Sequence, residues 1–258
     1  MTLTVDGRRV EVAEFPGGDP GRRPVVLLHE GLGSVGLWRD LPPQLAEATG
    51  RRTIAFSRFG HGRSDPPPIP RTPAFFEYEA ETVLPALLEQ LGAPEPLLVG
   101  HSDGASIALI YAGSGGAAGL RGLILEAPHV FTEPSGLESI ARIADIYRTT
   151  DLPERLARHH GSNVEVAFWG WNGVWLNPEF RAWNIEEFLP AVEVPILILQ
   201  GDQDEYGTWK QVEAIQRQAG GTVEAVAIPR CGHAPHREQP DLTLQAMADF
   251  VHRLRLGE

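Results

Sequence analysis

The chain is poor in several features that would narrow its class at once. It has one cysteine, Cys231, in 258 residues, so no internal disulfide can form and a reducing compartment is expected. No apolar run approaches the roughly 20 residues a membrane-spanning helix needs. The first residues, Met1-Thr2-Leu3-Thr4-Val5-Asp6, have neither the charged nor the apolar region of a signal peptide. A soluble, cytoplasmic protein is therefore expected. Positive charge is also short: 22 Lys and Arg against 34 Asp and Glu leave a formal net charge of −12. That balance argues against nucleic acid or an anionic membrane as partner and favours solubility. No repeat or low-complexity tract occurs, and Pro66-Pro67-Pro68 reads as a short stiff loop. His233 and His236 share the spacing of some metal pairs, but no Cys or carboxylate cluster completes a ligand set, so no metal is expected.

What is present is a rhythm. Apolar residues make up 42% of the chain, enough for one sizeable domain with an insertion or for two small ones. Alternating stretches 2–5 and 8–14 flank Asp6-Gly7, the signature of a tight antiparallel hairpin. Val25-Val26-Leu27-Leu28 is a continuous apolar run of the kind buried on both faces of a parallel sheet. Helical stretches over 37–48, 75–91, 209–219 and 241–254 alternate with short apolar strands at 53–56, 96–99, 120–125, 195–200 and 223–228. The pattern predicts an α/β fold with a mostly parallel, doubly wound sheet. One gap breaks it. Residues 131–191 hold helix-compatible segments and the tryptophans Trp169, Trp171, Trp175 and Trp183, so a structured helical cap is expected there, inserted into a core made of 1–130 and 192–258. Gly115-Gly116 and Gly170 to Gly173 are candidate turns or flexible points.

Within that rhythm, Gly100-His101-Ser102-Asp103-Gly104 follows an apolar strand and precedes the small-residue helical run 105–112. Strand, Gly-x-Ser-x-Gly, helix is the layout of a nucleophile elbow, in which a serine on a strained turn is pushed out at the top of a sheet. Glycines two positions either side let the backbone pass close to itself.

Ligands of open parallel sheets bind beyond the carboxyl ends of the strands, which pools distant loops into one site. Ser102 is joined there by Gly201-Asp202-Gln203-Asp204-Glu205 and by Cys231-Gly232-His233-Ala234-Pro235-His236, in the chain order serine, acid, histidine. A serine hydroxyl needs an imidazole to take its proton, and the imidazole needs a carboxylate on its far nitrogen to fix the tautomer. Asp202, Asp204 and Glu205 compete for the acid, with Glu126 beyond the 120–125 strand a further candidate. His233 competes with His236 for the base. A developing oxyanion needs backbone donors, expected from Asp103, directly after the serine, and from the His29-to-Ser34 loop.

Together the strand-His-x-Gly loop at His29, the Phe59-Gly60-His61-Gly62-Arg63-Ser64 loop, the elbow, Gly201-x-x-Asp204 and Gly232-His233 resemble the α/β-hydrolases with a cap, over essentially the whole chain. The resemblance implies Ser102 as nucleophile, Asp204 as acid, His233 as base, and Gly31 and Asp103 as oxyanion donors. His236 then braces the loop. It implies hydrolysis, without a cofactor, of a small carboxylic ester, lactone or thioester through an acyl-enzyme, an activity of the carboxylesterase type. Carbon–carbon bond hydrolases, perhydrolases and amidases share the fold. Two positions depart from the family pattern: Glu30 replaces the first Gly of His-Gly-x-x-Gly, and Ser57 replaces the usual Asp after Phe56. A carboxylate near the oxyanion loop motivates a second reading, a ligand sensor or interaction protein with little turnover.

Bland readings accompany the others. His101 is read as packing under the elbow, His159 and His160 as a solvated helix face, and Cys231 as a small buried apolar residue. Asp103 is read as a polar residue in a first helical turn. Glu30, Leu32, Trp169, Trp171 and Trp175 are candidates for the walls of a small-molecule pocket. The oligomeric state is not legible.

Overall fold

The computed structural model describes residues 1–19, 21–67, 71–115 and 119–254. Pro68 and Gly116, of the proline loop and the glycine pair above, lie outside them. Strand β1 (Thr2–Val5) turns at Asp6 and Gly7, both with positive φ, into β2 (Arg8–Phe15). The order then runs β3 (Val25–Leu28), α1 (Leu41–Thr49), β4 (Thr53–Phe56), α2 (Phe75–Tyr78), α3 (Leu84–Gln90), β5 (Leu97–His101), α4 (Asp103–Gly113) and β6 (Gly122–Glu126). After it come α5 (Pro134–Thr149), α6 (Leu152–His160), α7 (Val164–Trp175), β7 (Ile196–Gly201), α8 (Trp209–Gln218), β8 (Val223–Ile228), α9 (Pro235–Glu238) and α10 (Pro240–Arg253).

The strands form one sheet in the order β1-β2-β4-β3-β5-β6-β7-β8. The β1–β2 and β2–β4 pairs are antiparallel and the rest parallel. Strands β3 to β7 read as unbroken apolar runs because both faces are covered. Val26, Leu28, Leu98, Leu123, Leu125, Ile196 and Ile198 face one core, with α3, α4 and α8. Val25, Leu27, Val99, Ile124, Leu197 and Leu199 face the other, with Leu45 of α1 and Met247 of α10. Period-two alternation thus sorts one strand's residues between two helical layers.

Between β6 and β7 the described chain is helical, with α5, α6 and α7 followed by 3₁₀ turns at Pro178–Ala182 and Glu186–Ala191. An isolated bridge joins Phe131 and Asn184. Phe168, Trp171, Trp175, Phe180 and Trp183 continue the first core, so this segment shares one apolar core with the rest of the chain.

Several elements differ from the pattern in the sequence. The expected helix over 37–48 is a 3₁₀ turn, Val35–Trp38, and a separate α1, because Arg39 takes φ 52 and ψ −122, which no helix accommodates. Pro42 and Pro43 then fall in the first turn of α1, where the missing N–H has no partner to lose. The expected helix over 75–91 widens into a π-turn at Glu79–Val83 just before Pro85, whose ring cannot donate and crowds the carbonyl four residues back. Strand β6 begins at Gly122 rather than Leu120, and the four-residue α9 has no signal of its own. Gly170 and Gly173 are no hinge: both lie inside α7.

Candidate active site

Strand β5 delivers Ser102 to the elbow with φ 53 and ψ −117, a region that L-residues rarely occupy. The turn is tied on both sides. Ser102 N–H donates to the Glu126 carbonyl at 2.9 Å, and the Ser102 carbonyl accepts from Ala105 and Ser106 N–H. Residue 104 must be glycine, since a Cβ there would overlap the Leu28 carbonyl of β3.

Three loops at the carboxyl ends of β5, β7 and β8 bring Ser102, Asp204 and His233 together. Ser102 Oγ lies 2.9 Å from His233 Nε2. His233 Nδ1 lies 2.9 Å from both Asp204 oxygens. Asp204 also accepts from Tyr206 N–H and from Gln200 Nε2, each at 2.8 Å. Burial opposes its ionisation, but the charge and hydrogen bond of His233 outweigh burial and hold the carboxyl well below its ordinary value. Asp202 accepts from Cys231 N–H instead. The carboxylate therefore fixes Nδ1 as the protonated nitrogen and leaves Nε2 free to accept from Ser102.

The other acid and histidine candidates form a second pair below the first. Glu126 Oε2 accepts from His236 Nδ1 at 2.9 Å and from His236 N–H at 3.0 Å, with both side chains almost fully buried. Burial again opposes the charge on Glu126, and His236 holds its carboxyl below the ordinary value. Glu126 thus braces the loop that carries His233 and does not reach His233 itself.

Glu30 does not stand unpaired in the loop after β3. Its carboxylate is 3.5 Å from His101 Nδ1, an ion pair rather than an aligned hydrogen bond. Burial disfavours both charges, yet His101 holds the Glu30 carboxyl well below its usual range and Glu30 raises His101 to about 9. The far nitrogen, His101 Nε2, donates to the His233 carbonyl at 2.7 Å. Asp103 is completely buried. One oxygen accepts from Trp175 Nε1 at 3.1 Å and the other faces the buried Arg58 guanidinium at 3.4 Å. Ser57, in place of the family's usual Asp, accepts from Val35 N–H and donates to Glu11. Cys231 is fully buried, and burial pushes its thiol up to about 12.

A cavity of about 750 Å³ opens above Ser102 and His233. Glu30, Gly31, Leu32, Trp171 and Trp175 line it, with Leu137, Ile140, Leu152 and Leu156 of α5 and α6. Trp169 does not belong to the wall. Trp171 and Trp175 share a face of α7 at a spacing of four, whereas Trp169 lies across the helix, where its indole donates to Glu165 and Arg148 covers the ring. The backbone N–H groups of Gly31 and Asp103 have no acceptor among the described residues. A Cβ on residue 31 would overlap the Trp171 indole.

His159 is exposed, as expected, but His160 is not on a solvated face. Its Nδ1 accepts from Gly62 N–H at 3.1 Å and its Nε2 donates to the Leu32 carbonyl at 3.0 Å, clamping α6 onto two loops of the core. His129 escaped the sequence reading. Its ring lies 5.5 Å from that of His233, and burial, then the charge of His233, lower it to about 4, so it is neutral. Its place three residues beyond β6 was the available signal, since the pooling of post-strand loops applies there too. Among the described residues no group of three or more His, Cys, Asp and Glu is disposed to hold a metal, and no helix is long and apolar enough to cross a membrane.

The α/β hydrolase family matches residues 25–246. Proline iminopeptidase of Lactobacillus delbrueckii subsp. bulgaricus is 27% identical over 223 residues, covering 71% of this chain and 75% of that protein. Bovine (lyso)-N-acylphosphatidylethanolamine lipase is 38% identical over 91 residues, 35% of this chain and 26% of the relative. Among solved structures, an esterase from Exiguobacterium antarcticum superposes with a TM-score of 0.76 at 20% identity, covering 98% of this chain and 99% of that one. With the match spanning strands β3 to β8, the elbow and the His233 loop, the chain belongs to the α/β hydrolase family.

Proposed function

We propose that the protein is a serine hydrolase that cleaves a small carboxylic ester, lactone or thioester through an acyl-enzyme on Ser102. The observation that carries this reading is the unbroken line Ser102 Oγ, His233 Nε2, His233 Nδ1, Asp204, with 2.9 Å at each step. As Ser102 Oγ attacks the acyl carbon, its proton passes to His233 Nε2, and Asp204 stabilises the imidazolium. The carbonyl oxygen gains charge and faces the free N–H groups of Gly31 and Asp103. Collapse of the tetrahedral adduct returns the proton to the leaving group. Water then repeats the sequence against the acyl-serine.

Segment 131–191 acts as a cap over this site, its helices supplying the apolar wall that excludes water, with 1–130 and 192–258 as the core. The pairing of Glu30 with His101 offsets the carboxylate charge that motivated a non-turnover sensor. A fluorophosphonate probe with adduct mapping tests the reading, beside turnover of p-nitrophenyl acetate and butyrate. Labelling at Ser102 and ester turnover, both abolished in Ser102→Ala, are expected. Undiminished turnover in Ser102→Ala, or faster cleavage of prolyl p-nitroanilide than of either ester, overturns the proposal.

A further inference from the structure

The mouth of the cavity collects arginine in a chain whose formal net charge is −12. Arg39 comes from the loop before α1, Arg155 and Arg158 from α6, and Arg237 from α9, and all four line the cavity. Spacings of three and four place Arg155, Arg158 and His159 on one face of α6. Arg155 is occupied, since its guanidinium meets Asp151 at 3.3 Å. Among the described residues no carboxylate lies within 4.0 Å of Arg39, Arg158 or Arg237.

These three converge. The His159 imidazole is held below its ordinary value first by burial and then by the charges of Arg39, Arg237 and Arg158. One ring thus feels guanidinium groups from three separate elements. Arg39 also holds φ 52, a backbone region that non-glycine residues rarely adopt. Three of the four carboxylates that line the cavity are engaged elsewhere. Glu30 faces His101, Glu133 accepts from Thr208 and Gln211, and Glu238 accepts from Gly232 and Ala234 N–H. Glu205 sits on the loop of Asp204, toward Gly232. The same cavity is lined by Ser102 and by the apolar Leu137, Ile140, Ile143, Leu152 and Leu156 of α5 and α6.

Resting on the esterase reading above, we propose that the cavity takes esters whose reacting carbonyl is joined by an apolar spacer to a carboxylate or phosphate, bound at the rim by Arg39, Arg158 and Arg237. Guanidinium suits both anions, since its planar donors meet two oxygens at once.

The test compares p-nitrophenyl octanoate with mono(p-nitrophenyl) suberate, of equal chain length, and with the p-nitrophenyl ester of 8-phosphonooxyoctanoic acid. At low ionic strength kcat/KM should favour at least one anionic ester about tenfold, mainly through KM, and which one leads separates carboxylate from phosphate. The preference should shrink about fivefold in Arg39→Gln/Arg158→Gln, the scale of exposed charge pairs, and also in roughly 0.5 M salt. No preference for either anionic ester, or a preference that survives the double variant, overturns the proposal while leaving the esterase reading intact. Should no ester be turned over, that reading fails, and binding to the Ser102→Ala protein decides the rim. A larger rise in Tm with octanoate than with octanamide, lost in the arginine double variant, supports it; equal rises refute it.

Discussion

Glu30 Oε2 lies 3.5 Å from His101 Nδ1, while His101 Nε2 reaches the carbonyl of His233 at 2.7 Å. A residue from the loop after β3 therefore bears on the backbone of the loop that carries the general base of the proposed mechanism. His101, raised to about 9, carries its charge across neutral pH and offers a charge-assisted donor to that carbonyl.

Replacing Glu30 by Gln should lower stability by about 2–3 kcal/mol near pH 6.5, since it leaves a buried imidazole without its counter-charge. His101 is raised, so its contribution is complete below the unfolded value near 6.5 and is lost as pH rises through about 9. Glu30 is depressed, so its share is present above the ordinary carboxylate range and fades as pH falls. The Tm gap between wild type and Glu30→Gln, followed from pH 6 to 10, should narrow toward the alkaline end.

The two acid–histidine pairs separate in a direct comparison. Asp204→Asn should lower kcat for p-nitrophenyl butyrate by about 10⁴-fold, because the imidazole loses its tautomer and its counter-charge. Glu126→Gln should lower kcat less than tenfold while reducing stability by about 3 kcal/mol, the scale of a broken buried pair. Kinetics and thermal melts on both variants check this; the reverse ordering in kcat would reassign the acid.

Ser102→Gly should raise Tm as it abolishes turnover. The positive φ costs serine roughly 1 kcal/mol and glycine almost nothing. A calorimetric Tm at or below that of wild type would show that the elbow holds no strain.

Gly31→Ala pushes a methyl group into the Trp171 indole. It should lower kcat more than it lowers stability, because the displaced element carries the N–H assigned to the oxyanion. Trp171→Leu makes room. A double-mutant cycle on kcat/KM should therefore give a coupling above about 1 kcal/mol, whereas additive effects would place the two residues out of contact.

Much of this molecule is legible along the chain. The hairpin at Asp6-Gly7, the apolar strands and the Gly-x-Ser-x-Gly turn are local: each depends on residues within a few positions, and backbone sterics decide it. The helix over 37–48 failed because Arg39 takes a positive φ, which nothing in the helix-compatible run around it signals. His160 was misread since Gly62 and Leu32, its partners, are about 100 and 130 residues away in sequence.

The site shows the same division. Ser102, Asp204 and His233 could be pooled because a parallel sheet gathers the loops after its strands, so their order and type followed from sequence alone. The choice of Asp204 and His233 over their neighbours came from the family resemblance, not from residue type. Asp204 against Glu126, His233 against His236, and the partner of Glu30 were decided by tertiary packing, because hydrogen bonds of 3 Å and the low dielectric of the interior act through space and not along the chain.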